Sequence, residues 1–351
     1  MSKFYKLTIN NIKRETENSV SVSFQIPSAL KDVFSFKAGQ YITFKKDFNG
    51  NEIRRDYSLC VPANSDTFKV AVKEVKDGTF SKFINRELRI GDVLEVMPPS
   101  GRFIFEPDNS KSRTIVAFAA GSGITPIMSI IKTVLEQEPS SNFNLVYGNK
   151  TPKDTIFYEE LLELQKLYGN RFLIQFIFSQ SQESSALFGR IDKSAVNFVL
   201  KNKLNNIAVD TFYLCGPEAM IHMISDVLKE HDINEDTIRY ELFTTANVKS
   251  EDDTKIADGK TKITVLVDDE ETTFEMSQKQ TILEAALDQK IDAPYSCQGG
   301  ICSSCLARLT KGEATMRQNN ILTDSEVAEG LILTCQAHPT TATVFVDYDD
   351  V

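Results

Sequence analysis

A chain of 351 residues, 41% of them apolar and 25% charged, has room for two or three separate cores. Its net charge of −10 argues against a nucleic-acid partner. No apolar run approaches the roughly eighteen residues of a membrane helix, and Met1-Ser-Lys-Phe-Tyr-Lys6 begins no apolar signal segment. A chain with no membrane association, in the cytoplasm, is therefore expected. Only Cys60 and Cys215 lie outside a C-terminal group of four cysteines, and scattered single thiols fit a reducing compartment.

Short alternating runs come first: Ser19-Val-Ser-Val-Ser-Phe-Gln-Ile26, Gln40-Tyr-Ile-Thr-Phe44 and Phe68-Lys-Val-Ala-Val72. They predict an antiparallel β-barrel over residues 1–107. Within it, Arg55-Asp-Tyr-Ser-Leu59 reads as a strand and Gly78-Thr-Phe-Ser81 as the opening of a helix. An Arg can pair with a phosphate, a Tyr can lie against a flavin ring, and a Ser hydroxyl can reach the flavin's reactive nitrogen. The helix N-terminus suits a pyrophosphate. Each feature alone is equally a surface Arg, a barrel Tyr or a capped helix. Cys60 reads as a buried strand residue.

Past Pro107-Asp-Asn-Ser-Lys111 the character changes. Thr114-Ile-Val-Ala-Phe-Ala-Ala120, Phe143-Asn-Leu-Val-Tyr147, Phe172-Leu-Ile-Gln-Phe-Ile-Phe178 and Thr211-Phe-Tyr-Leu-Cys215 are near-continuous apolar runs. These predict an α/β domain over residues 108–243, its parallel sheet buried on both faces. The first run leads into Gly121-Ser-Gly-Ile-Thr-Pro126 and a helix over Ile127–Leu135 with Pro126 at its start. A glycine turn and a helix N-terminus at the end of a parallel strand favour an anionic pyrophosphate, although such a turn is also an ordinary strand–helix connection. A 2′-phosphate calls for an Arg, yet Ser179-Gln-Ser-Gln-Glu-Ser-Ser185 after the third strand has none before Arg190, which leans toward NADH.

Residues 244–261 are almost free of large apolar side chains and read as a linker. The final segment, 262–351, carries 15 Asp and Glu against 6 Lys and Arg, a net −9, leaving −1 for the rest. That acidity either aids solubility or steers a basic electron-transfer partner. Lys262-Ile-Thr-Val-Leu-Val267 and Thr341-Ala-Thr-Val-Phe-Val346 read as strands and Thr281-Ile-Leu-Glu-Ala-Ala-Leu-Asp288 as a helix, an α+β domain. Cys297, Cys302, Cys305 and Cys335 have the C-x4-C-x2-C…C spacing of a plant-type [2Fe-2S] ferredoxin. Gly299, Gly300, Ser303 and Ser304 let backbone N–H groups turn toward the cluster. A structural zinc site is the alternative, but it usually brings its cysteines as two close pairs in sequence. The three histidines, His222, His231 and His338, include no Glu-x-x-His pair, so a di-iron oxygenase site is not expected here.

Arg-x-Tyr-Ser, Gly-x-x-Ser, Gly-Ser-Gly-Ile-Thr-Pro and Cys215-Gly-Pro217, in this order, resemble the ferredoxin–NADP reductase superfamily, here fused to a plant-type ferredoxin. Arg54-Arg-Asp-Tyr-Ser-Leu-Cys60, Tyr147-Gly-Asn-Lys-Thr151, Phe178-Ser-Gln180 with Gly189-Arg-Ile-Asp192, and Leu333-Thr-Cys-Gln-Ala337 are similar to the reductases of bacterial phenylacetyl-CoA oxygenases. The resemblance implies a FAD barrel, a pyridine-nucleotide domain and a β-grasp ferredoxin domain. The flavin set becomes Arg55, Tyr57, Ser58, Gly78, Thr79 and Ser81, with Leu59, Lys73 and Phe80 as further cofactor-binding residues. Gly121, Ser122, Gly123, Thr125, Pro126, Cys215, Gly216 and Pro217 should line the dinucleotide, with Cys215 near the nicotinamide or simply buried on its strand. Ser58, Cys215, Glu241 and Phe243 become the catalytic candidates, Phe243 covering the flavin or merely ending its strand. Electrons should pass from NAD(P)H through FAD and the cluster to a separate oxygenase, in phenylacetate breakdown or toward another redox partner such as a ring-hydroxylating dioxygenase or steroid hydroxylase. The resemblance leans toward NADPH.

Overall fold

The computed structural model describes residues 3–65, 67–205, 207–243 and 258–351. They form two compact units, one holding most of Tyr5–Phe243 and the other built on the C-terminal segment.

The first unit begins with β1 (Tyr5–Thr16), β2 (Ser19–Gln25), β3 (Tyr41–Phe48), β4 (Asn51–Ser58), β5 (Phe68–Lys73), α1 (Thr79–Arg86) and β6 (Val93–Val96). The sheet order is β4-β3-β6-β1-β2-β5, and an antiparallel bridge between Leu59 and Val70 brings the end of β4 back to β5, closing the barrel. Period-two alternation explains the strands: Val20, Val22 and Phe24 enter the core with Leu7, Phe44 and Val70, leaving serines on the opposite face of β2. Gly78 caps α1, as its sequence predicts.

Next come β7 (Thr114–Ala120), α2 (Ile124–Gln137), β8 (Asn142–Asn149), α3 (Tyr158–Tyr168), β9 (Phe172–Phe178), β10 (Leu187–Phe188), α4 (Lys193–Phe198), β11 (Thr211–Cys215), α5 (Glu218–Glu230) and β12 (Ile238–Glu241). They build one parallel sheet in the order β10-β9-β8-β7-β11-β12. The helix expected at Pro126 starts two residues earlier, because Gly121–Gly123 already winds as a 3-10 turn. Pro126 sits in the first turn, where its missing N–H costs nothing.

Every residue of α2 from Ile124 to Leu135 is buried, since one side faces the sheet and the other the barrel. Ser129 Oγ donates to Val61 O at 2.6 Å, Ala63 N–H donates to Thr133 Oγ1 at 3.2 Å, and Tyr213 OH donates to Ile104 O at 2.9 Å. Phe103 and Phe105 join the α/β core, each worth about 1.5–3 kcal/mol of burial. The α/β core thus extends to Ala38, Cys60, Ala71, Phe103 and Phe105, while the barrel keeps a second core of its own. Cys60 is fully buried, its thiol pushed up to about 12 by burial.

The second unit contains β13 (Lys260–Val267), β14 (Glu270–Ser277), α6 (Ile282–Asp288), β15 (Leu306–Lys311), β16 (Ala314–Met316), α7 (Asp324–Ala328), β17 (Leu331–Leu333), β18 (Ala337–Pro339) and β19 (Thr343–Asp347). Its main sheet runs β14-β13-β19-β15-β17, and β16 pairs with β18. Both helices start with complete capping boxes, Thr281 with Glu284 and Thr323 with Glu326. Residues 244–257 of the expected linker lie outside the described residues, and its last two, Lys260 and Thr261, already belong to β13. The strand expected from Thr341 begins at Thr343, because the Thr341 hydroxyl is bonded to Thr343 O and Glu313 N.

Candidate functional site

The order of the parallel sheet reverses between β7 and β11, and ligands of open α/β sheets bind outside the strand ends at such a point. There the structure brings together Gly121–Gly123 and Cys215–Pro217. Ala119 and Cys215 are register partners, and a Cβ on Gly123 would stand 2.1 Å from Cys215 O, so only glycine lets the turn close against β11. Gly121 has φ +56°. Tyr147 OH donates to Gly121 O at 2.9 Å and Thr125 Oγ1 to Ser122 O at 3.0 Å. With those carbonyls occupied, what the turn and the start of α2 offer a ligand is N–H groups, suited to an anion.

The barrel contributes directly to this point. Lys73, the last residue of β5, places Nζ 3.6 Å from where a Gly121 Cβ would lie. Burial lowers the Lys73 ammonium below the ordinary lysine range of 10.5, and the neighbouring charge of Lys150 lowers it further. Asp154 offsets part of this, and a cation held at the glycine turn beside the start of α2 suits an anionic group there. Cys215 is fully buried, and burial followed by the nearby charge of Glu241, its partner on β12, raises the thiol well above 9.0. Its thiol is therefore neutral and unsuited to act as a nucleophile. Phe243, two residues past β12, is 38% exposed and leaves a ring face open.

On the barrel side, Ser58 is 3% exposed and its buried Oγ has no hydrogen-bond partner, an orphan that a flavin nitrogen would satisfy. Tyr57 is half-buried, 5.2 Å from Phe44 between ring centroids. Arg55 is exposed, with Nη1 donating to Arg54 O at 2.6 Å. A Cβ at Gly78 would meet Ser81 Oγ at 2.4 Å and displace it from the Val75 N–H, which it accepts at 3.2 Å. Thr79 is exposed at the first position of α1. Phe80 and Leu59 are core residues, 2% and 0% exposed, so they could touch a cofactor only through main-chain atoms. The donor set fits a flavin phosphate and ring.

The four C-terminal thiols act on one another as two pairs, Cys297 with Cys302 and Cys305 with Cys335. Within each pair one thiol is lowered and the other raised: Cys297 is lowered to about 6 and Cys302 raised, Cys335 lowered and Cys305 raised. Two irons taking two thiolates each want this grouping. Gly299 N–H donates to Cys297 Sγ at 3.3 Å, the N–H of Ile301 also faces Cys297, and that of Gly300 faces Cys335. The amide nest expected of the small residues is present. Sequence reasoning missed Gln336, whose Nε2 donates to Gln298 O at 3.0 Å and to Cys335 Sγ at 3.7 Å. It also missed Tyr147 as the fastening of the glycine turn. Neither position carries a spacing signal.

Comparison with known proteins gives three domains in the same order. The oxidoreductase FAD-binding domain matches residues 6–105, the oxidoreductase NAD-binding domain 118–226, and the 2Fe-2S iron-sulfur cluster binding domain 265–340. A component of the 1,2-phenylacetyl-CoA epoxidase of Escherichia coli K12 is 36% identical over 99% of both chains. The ferredoxin reductase component of the 3-ketosteroid-9-alpha-monooxygenase of Rhodococcus rhodochrous is 30% identical, covering 97% of this chain and 96% of its own. Among solved structures, phthalate dioxygenase reductase shares the fold over 98% of both chains, with a TM-score of 0.61 at 24% identity.

Proposed function

The chain belongs to the three-domain reductases of the ferredoxin–NADP reductase superfamily that end in a plant-type ferredoxin, and on that premise we propose that it supplies a separate oxygenase of the phenylacetyl-CoA type with electrons from NADPH. It is an NAD(P)H oxidoreductase that uses FAD and a [2Fe-2S] cluster. The flavin, when bound, takes a hydride and releases electrons singly to a one-electron carrier. The chain's own residues do the rest. Gly121–Gly123, the start of α2 and Lys73 hold the dinucleotide pyrophosphate. Cys215 and Pro217 bound the nicotinamide end, and Ser58 orients the flavin nitrogen. Cys297, Cys302, Cys305 and Cys335 are the cluster ligands, and the domain limits are 1–107, 108–243 and, with the start of β13, 260–351.

The observation that carries this reading is the meeting of Lys73 from the barrel with Gly121 from the sheet, which puts a flavin domain and a nucleotide turn at one point. NADPH rather than NADH is supported by the end of β8. Gly148-Asn149-Lys150 offers no carboxylate for a ribose 2′-hydroxyl. It offers a lysine in that place. Asp154, the nearest acid in the loop, accepts a hydrogen bond from Thr151 Oγ1 at 2.7 Å. The test compares kcat/KM for NADPH and NADH with ferricyanide as acceptor. Lys150→Glu should lower the NADPH value about tenfold or more, the scale of one lost charge-assisted contact, and spare NADH. An equal fall with both would refute the assignment. The epoxidase reading is tested by reconstituting the chain with a phenylacetyl-CoA-oxidising component. Failure of that component to turn over while ferricyanide is still reduced would redirect the search to another acceptor.

A further inference from the structure

We propose that Tyr348 is a positioning residue for the cluster, acting through Thr334 on the main chain of Cys305. The proposal rests on the four-thiol reading above and goes beyond it, because Tyr348 touches no ligand thiol in a hydrogen bond. Cys305 and Cys335 form one thiol pair, yet they come from the ends of different strands, β15 and β17. The ladder between those strands runs to Leu306 and Leu333. One step further, Thr334 N–H donates to Cys305 O at 3.1 Å, and Thr334 Oγ1 donates to the same oxygen at 2.9 Å. Tyr348 OH in turn donates to Thr334 Oγ1 at 2.9 Å.

Every member of this chain is buried: Thr334 is 0%, Cys305 1% and Tyr348 6% exposed. Both ends are anchored. Thr334 O accepts the Leu283 N–H of α6 at 3.0 Å, and Tyr348 N–H donates to Leu266 O at the end of β13 at 3.0 Å. Thr334 is the residue before Cys335, so the hydroxyl relay fixes the two strand ends that carry one thiol pair. In a buried, low-dielectric network each bond polarises the next. Two donors on the Cys305 carbonyl also place positive dipole ends beside the site, which favours the more negative, reduced state of a cluster.

The experiment uses the full-length protein carrying both cofactors, with Tyr348→Phe, Thr334→Val, Thr334→Ser and the Phe/Val double variant. Tyr348→Phe keeps the ring and its packing, so it removes the hydroxyl alone. The readouts are the EPR g values and midpoint potential of the reduced cluster, and the rate of cluster loss to an iron chelator. Tyr348→Phe should shift the g values, move the midpoint to a more negative potential, and speed cluster loss about three- to tenfold, the factor carried by one net hydrogen bond. Thr334→Ser should match the wild type, and the double variant should be no worse than Thr334→Val alone, because both act on one path. If Thr334→Val holds no cluster, Tyr348→Phe and Thr334→Ser decide. Flavin bleaching by NADPH should be unchanged throughout. Wild-type signals from Tyr348→Phe, or losses that multiply in the double variant, would overturn the proposal. Absence of the cluster signal from the wild type would overturn the four-thiol reading, and this proposal with it.

Discussion

The two units hold their cofactors by opposite means. The barrel and α/β unit uses main-chain geometry: two glycine turns, two helix starts and a lysine brought in from another layer. The C-terminal unit uses four side chains that bond directly to metal, with the main chain only trimming their charge. Their charge differs as well, −1 for the first 261 residues against −9 for the remainder. A site made of ligating side chains tolerates variation around it but no change in the ligands. One made of backbone approach tolerates many side-chain changes and fails at single glycines.

The sharpest break of this contrast is Cys305→Ser. A serine oxygen is a poor replacement for a soft thiolate, so the variant should lose the [2Fe-2S] absorbance while retaining FAD and ferricyanide reduction. Oxygenase reduction should fall to background. Loss of both chromophores would mean that the two units do not fold independently.

Gly123→Ala is the matching test in the first unit. An added methyl would collide with Cys215 O at 2.1 Å and Cys215 C at 2.5 Å, main-chain atoms that can move only by opening β7 from β11. The cost expected for such overpacking is about 1–3 kcal/mol of stability. NAD(P)H-dependent flavin reduction should fall by about ten- to a hundredfold in kcat/KM, the scale of 1.4–2.8 kcal/mol in the transition state. Cluster absorbance should be unaffected. If stopped-flow bleaching is unchanged, the turn does not bind the dinucleotide.

These two variants also separate what the sequence displays from what it hides. The four cysteines are legible because metal ligands impose spacing, and β7 and β11 match their apolar runs residue for residue because strands buried on both faces carry few polar interruptions, while β9 matches its run despite Gln175 and a Leu173 that is 49% exposed. Gly78 is legible as a helix start through its neighbours. Lys73 stands out by no local pattern: the resemblance names it, and the closure of β5 against the glycine turn shows which phosphate turn it meets. Tyr147, Gln336 and Tyr348 are hidden for the same reason, since each acts across more than ten residues of sequence. The onset of α2 falls two residues before the expected one because a proline at the first helical position is a preference, and the Gly-Ser-Gly turn has already set the helix going.

Lys73 gives a smaller effect, with a pH signature. Burial and Lys150 lower its affinity for a proton, so as pH rises it loses its charge below the ordinary lysine value of 10.5. The KM for NAD(P)H should therefore begin to rise on the alkaline side at a lower pH than an unperturbed lysine would give. Lys73→Met should raise KM about threefold to tenfold at neutral pH, the range of one partly solvated charge contact, and abolish that alkaline rise. A variant that keeps the rise would assign it to another group.

The smallest effect concerns the charge contrast itself. The acidity of the C-terminal unit gathers at the β13–β14 turn, where Asp268, Asp269, Glu270 and Glu271 follow one another. Asp349 closes on them, accepting the N–H groups of Asp268 and Asp269 at 2.9 Å each. Asp268 and Asp269 both take left-handed backbone conformations, φ +52° and +62°, which turn the strand back tightly and keep the four acids in one patch. If that patch steers a basic acceptor, oxygenase reduction should slow as salt passes about 0.15 M, where the Debye length is near 8 Å, while flavin bleaching changes little. Reversing Glu270 and Glu271 to Lys, which leaves the turn residues in place, should reproduce the high-salt rate at low salt. Surface charges act mainly on encounter, so the loss should appear in the bimolecular rate constant, about three- to tenfold, with the limiting turnover intact. A rate flat to both salt and charge reversal would make the acidity a matter of solubility and would leave acceptor docking to the surface around the Cys297–Cys305 loop.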